Sequence, residues 1–172
     1  MKLRLSLSFI LAALLMAGLT GFQVEARKTS DEPLNRFAGS WLGAGKFFGT
    51  DATVQAKWEW LLAGKFFRLA VSYEMTPPDG KKQKFEGHAY YQAKSAGQYE
   101  GRWFDSQGHA YPLQATMEGG TLTSFWGEPG KSDGRSIYRI NEVEKTLEIA
   151  DATRQKDGGW KEFSRFKLTP VP

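Results

Sequence analysis

The chain of 172 residues contains no cysteine. No disulfide or thiolate site can form, so a folded state must rest on a hydrophobic core. Histidine is almost as scarce, with only His88 and His109. These two isolated residues offer no zinc spacing, and no calcium-loop spacing occurs, so no metal is expected. Lys and Arg (23 residues) alternate with Asp and Glu (19 residues), giving a formal charge of +4 without a basic block. That pattern describes a solvated surface and argues against a nucleic-acid partner. No long segment beyond the N-terminal stretch has helical period.

What is present begins with an address. Lys2 and Arg4 precede an apolar run from Leu5 to Gly18, and Val24-Glu25-Ala26 places small residues where a signal peptidase cuts. Residues 1–26 therefore read as a secretory signal. A retained membrane anchor is the alternative, but the run is short for a bilayer. Leu19-Thr20-Gly21 is followed by Phe22, so no thiol is available for lipidation. The expected product is exported, periplasmic or secreted, with no stable membrane insertion after signal removal. Residues 27–36 read as a flexible polar lead-in, with a short turn of helix at Leu34 to Phe37. Residues 37–170 read as one domain.

Aromatic residues make up 14% of the chain, including 6 Trp and 12 Phe. They suit strands and bury large areas. Alternation predicts ten strands, over 39–48, 53–61, 66–75, 83–92, 98–105, 110–118, 121–127, 135–141, 146–153 and 160–169. Turn signals such as Pro77-Pro78-Asp79-Gly80 and Gly119-Gly120 separate them. Short turns throughout leave no room for the long crossover of a Greek key. The expected fold is all-β, a closed antiparallel up-and-down barrel of about ten strands, because closure removes the edges. The opening Gly39-x-Trp41-x-Gly43-x-Gly45 puts three glycines and an indole on one face. Glycine inside a strand marks a bend or a close backbone approach.

Gly39-x-Trp41, with the basic Arg165 late in the last strand, resembles the signature of the calycin superfamily, which includes the lipocalin-like and fatty-acid-binding-like barrels. That resemblance implies Trp41 at one end of the barrel with Arg165 packed across it, and a structural role for Gly39 and Gly43. The run Gly39 to Gly45 is also similar to the opening of the nitrobindins, ten-stranded haem-binding barrels. Those proteins ligate haem through a His near the C-terminus, whereas residues 160–172 contain none; haem is not carried over, and no cofactor is expected. Gly101-Arg102-Trp103-Phe104-Asp105-Ser106-Gln107-Gly108, then Tyr138-Arg139, Leu147-Glu148-Ile149-Ala150-Asp151 and Trp160-x-x-Phe163, resembles in order a bacterial domain-of-unknown-function family of secreted calycin-like barrels. It implies a fold but no reaction.

Catalytic motifs fall away. Gly130-Lys131-Ser132-Asp133-Gly134 matches G-x-S-x-G, but it follows Pro129 between two strands where a nucleophile elbow needs a strand and then a helix. The expected function is a non-catalytic exported protein holding a small, mostly apolar ligand in a barrel cavity. The expected wall residues are Trp58, Tyr73, Tyr91, Trp103, Trp126 and Tyr138, and the expected polar contacts are Arg68, His88 and Arg139. A one-residue slip of register exchanges the faces of a strand, and these two sets stand on opposite faces of several strands. Asp151 interrupts an apolar alternation and reads equally as a turn former. Two alternatives stand beside this one. The first is an isomerase or hydrolase using an inward His88, Glu74 or Asp151 with an Arg. The second is an envelope accessory protein acting through its outer surface.

Overall fold

The structure, a computed structural model, describes residues 33–128 and 133–172. The signal segment, the lead-in up to residue 32 and most of the G-x-S-x-G loop (129–132) lie outside the described residues. Ten strands follow a 3-10 turn at Pro33–Phe37: β1 Gly39–Phe47, β2 Thr50–Leu61, β3 Phe66–Met75, β4 Gln83–Ser95, β5 Gln98–Asp105, β6 Ala110–Glu118, β7 Thr121–Trp126, β8 Gly134–Asn141, β9 Thr146–Arg154 and β10 Trp160–Val171. Each strand pairs antiparallel with its sequence neighbours, and β1 pairs with β10, so the sheet closes. The expected closed up-and-down barrel is therefore the observed fold.

Closure depends on the glycines of β1. A Cβ on Gly43 would collide with the Lys167 carbonyl oxygen, and one on Gly45 with the Arg165 carbonyl oxygen and the Phe166 ring. The backbones of β1 and β10 thus approach closely over this face, as glycine in a bent strand allows. Gly39 takes φ 122°, a value suited to a residue without Cβ, where the chain turns into the strand.

One end of the barrel is capped by the chain itself. Leu34 and Phe37, three apart, fall on one face of the 3-10 turn, and both are buried. The cap is fastened by side chains of the first two strands. Trp41 Nε1 donates to the Phe37 carbonyl at 2.8 Å, and Trp60 Nε1 donates to Asn35 Oδ1 at 2.6 Å. Beneath it lies a filled core of Trp58, Phe67, Leu122, Leu147 and Leu168. The last residues of the expected flexible lead-in are therefore part of the packed domain. Burying Leu34 and Phe37 stabilises by about 1.5–3 kcal/mol each.

The expected packing of Arg165 on Trp41 does not occur. Trp41 is paired with Pro170, while Arg165 is paired with Lys46, five positions further along β1, roughly 16 Å away at strand rise. The inward set of β10 is Ser164, Phe166 and Leu168, which leaves Arg165 outside. There its Nε donates to Glu162 Oε1 at 2.8 Å, and its guanidinium also pairs with Glu148. Solvated ion pairs contribute little, so Arg165→Ala should change the unfolding free energy by no more than about 1 kcal/mol in urea titration.

Candidate functional site

Alternation along each strand sets what the interior contains. Five of the strand connections lie at the end opposite the cap, and the described residues leave a cavity open there. The cavity inside that mouth measures about 290 Å³. Its walls are rings: Tyr73 and Phe85 from β3 and β4, Trp103 and Tyr111 from β5 and β6, Trp126 and Tyr138 from β7 and β8. Two indoles lie flat on glycines. A Cβ at Gly87 would overlap the Trp103 ring, and one at Gly134 the Trp126 ring.

The rim carries Phe48 and Phe163, stacked at 4.5 Å between centroids. Phe48 takes φ 47° in the β1–β2 turn, a conformation that a bulky residue rarely holds. A shift of register between Glu162 and Ser164 brings Phe163 to the rim next to the inward Ser164.

A polar row crosses the inner wall. Ser124 on β7 is paired with Ser136 on β8, Ser136 with Asp151 on β9, and Asp151 with Ser164 on β10. All four are buried. Ser164 Oγ donates to Asp151 Oδ2 at 2.8 Å, and Tyr91 Oη donates to Ser124 Oγ at 3.0 Å. Burial pushes the Asp151 carboxyl above the usual range, which the Ser136 and Ser164 hydroxyls oppose and the Glu162 charge reinforces. Burial likewise raises Tyr91 to about 12, and raises Tyr73 and Tyr138 well above the usual phenol value. The Asp151 charge adds to all three shifts, and the three phenols line the same cavity as the carboxyl.

The raised carboxyl gives a signed expectation. Its contribution to stability is complete below the unfolded carboxylate pKa of about 3.9 and is lost as pH rises through the higher folded value. The groups facing it are Tyr73, Tyr91 and Tyr138, which stay neutral in this window, the two serines, and Glu162. Asp151→Asn carries no charge, so its stability relative to the parent should improve as pH rises from about 4 to 8, read by urea titration at several pH values. A difference that is flat with pH would show that the carboxyl is not desolvated.

At the mouth, Asp105 is held differently. Burial pushes its carboxyl up, but donors outweigh this and leave it below the usual range. The backbone N–H of His109 donates at 3.1 Å, Trp103 Nε1 at 3.1 Å and the backbone N–H of Gln107 at 2.9 Å. His109 Nδ1 lies 3.2 Å from the same carboxylate, and its ring stacks on Tyr111.

Five of the six expected wall residues line this cavity: Tyr73, Tyr91, Trp103, Trp126 and Tyr138. Trp58 does not. It is buried in the capped half against Phe37, Phe67 and Tyr138. The three expected polar contacts all face outward, because each alternates with an inward neighbour. Arg68 pairs with Glu59 on the outer wall, His88 Nδ1 lies 3.4 Å from the Tyr90 hydroxyl, and Arg139 reaches Glu148 at 3.4 Å. Glu74 is exposed as well. Asp151 alone of the expected acid–base candidates points inward, and its partners are serines rather than an arginine.

No protein-family model matches the chain, and no curated protein is significantly similar to it. Solved structures do match. The chain is similar to the crystal structure of Rv2717c from M. tuberculosis, with a TM-score of 0.57 and 16% identity, covering 82% of this chain and 98% of that one. The likeness is one of fold. Among the described residues, no group of three His, Asp or Glu side chains could hold a metal ion, and no helix is long and apolar enough to cross a membrane. Hollows of about 380 and 700 Å³ also mark the outer wall. The first lies between exposed strand side chains such as Arg102 and Gln114 beside Phe66, Tyr90 and Phe125, and the second between side chains such as Lys46 and Glu74.

Proposed function

We propose that this protein is an exported, non-catalytic binding barrel that holds a small, mostly apolar ligand in its interior cavity. The observation that carries this is the division of the interior. One half is filled and capped, and the other is an open cavity of about 290 Å³ walled by aromatic rings. Ligand sites are mainly apolar with a few orienting polar groups, and the row of Ser124, Ser136, Asp151 and Ser164 supplies such groups. The volume is near the lower end of the range for ligand pockets, about 300–1,000 Å³, which suits a molecule of one or two rings. Export is supported by the signal-like residues 1–26.

Ligand entry beside Trp103 and Trp126 should change intrinsic fluorescence. Titration with propylbenzene is expected to quench or shift the emission, and Trp103→Leu to lose much of that response. Native mass spectrometry of the protein purified from its own cells should show a small co-purifying molecule. Turnover of that molecule would favour an enzyme working through the Asp105–His109 pair. No response to any small apolar compound would move the function to the outer wall. For export, N-terminal sequencing should find a start at Arg27; a start at Met1 would refute processing.

A further inference from the structure

We propose that the cavity selects a small aromatic or aliphatic amine, bound as its cation, with the ammonium group donating to Asp151. This rests on the binding reading above and names the chemical class of the ligand. The cavity lining holds two carboxyl groups, Asp151 in the wall and Asp105 at the rim, and no Lys or Arg among the described lining residues. His109 at the rim is already turned toward Asp105. An anionic ligand would bury a second negative charge beside Asp151 with no cation to pair it, a large cost in a dry site.

A cation meets the opposite situation. Asp151 accepts from the Ser164 hydroxyl at 2.8 Å and from the Ser136 hydroxyl, which still leaves lone pairs on a buried carboxylate. An ammonium has three donors. The carboxylate and the neighbouring hydroxyl oxygens of Ser136 and Ser124, at the same level of the wall, provide acceptors for them. Tyr73, Tyr91 and Tyr138 line the same cavity, Tyr91 meeting the row through its hydroxyl on Ser124, and electron-rich rings attract cations. The burial that raises the Asp151 pKa is a stress that an incoming positive charge relieves. The outer cavity, walled by Phe85, Trp103 and Trp126, receives the apolar remainder of the ligand.

The test compares three probes of similar size by calorimetric titration of the purified protein at about pH 8, well above the ordinary carboxylate range and below that of alkylamines. The probes are phenethylamine, propylbenzene and phenylacetate. Phenethylamine should bind about tenfold or more tightly than propylbenzene, as a charge-assisted hydrogen bond implies, and phenylacetate should bind weakest. Asp151→Asn should remove that preference, so that on the same variant phenethylamine and propylbenzene bind within about twofold of each other. Near-ultraviolet circular dichroism verifies that the variant is folded; if it is not, the three-probe ranking on the parent protein decides. Equal or tighter binding of propylbenzene, tighter binding of phenylacetate, or an amine preference that survives in folded Asp151→Asn would overturn the assignment while leaving the cavity as an apolar site. Failure of all three probes to bind would overturn the cavity reading along with it.

Discussion

Trp41→Ala is expected to lower the unfolding free energy by about 3–5 kcal/mol. The indole is buried at the capped end, and removing it deletes a large apolar surface the surroundings cannot refill. It also removes the hydrogen bond to the Phe37 carbonyl, one of two indole bonds that fasten the cap. With that tie gone, Leu34 and Phe37 lose part of the packing that makes their burial worthwhile. Urea titration followed by far-ultraviolet circular dichroism avoids the altered tryptophan signal. Because the mouth lies at the other end, the folded fraction should still bind propylbenzene. A variant as stable as the parent would show that the cap does not organise this end of the barrel.

The second large effect is expected at the seam. Gly45→Val should cost about 3 kcal/mol or more, the upper end for overpacking, because the obstacle is backbone rather than a movable side chain. The added atoms would meet the Arg165 carbonyl and the Phe166 ring. Relief requires β1 and β10 to separate, and their separation opens the barrel. Ala44→Val on the same strand faces solvent and serves as the control, with a change within about 0.5 kcal/mol. Similar losses for the two variants would mean that strand content, and not close approach, governs this position.

The strands were legible because each is bounded by turn formers and alternates cleanly. Phe66–Met75, Gln98–Asp105 and Ala110–Glu118 match the residues predicted from sequence. Legibility stopped at the faces and at relations between strands. In β4 the inward set includes Gly87 and Ala89, small because the Trp103 ring lies over Gly87, so His88 and Tyr90 looked no less suited to the interior. Ser124, Ser136 and Ser164 are unremarkable one at a time. They become a row only when four strands are aligned, and the register shift after Glu162 displaces the last of them. The carry-over of Arg165 onto Trp41 failed for a related reason: being late in the last strand does not fix which residue of the first strand it faces. The Asp105–His109 contact is local, held within one turn, and the spacing of an acid and a histidine four apart could have drawn attention to it.

An even number of strands has a practical result for handling the protein. The chain enters β1 beside the cap at Pro33, and β10 ends at Val171 beside Ser40, so both ends of the described fold emerge on the capped side. A tag, a fusion partner or a linker to a sensor surface can be joined at the C-terminus without crossing the mouth. Immobilised that way, the barrel would present its opening to the sample, and surface-based affinity measurements should agree with those made free in solution.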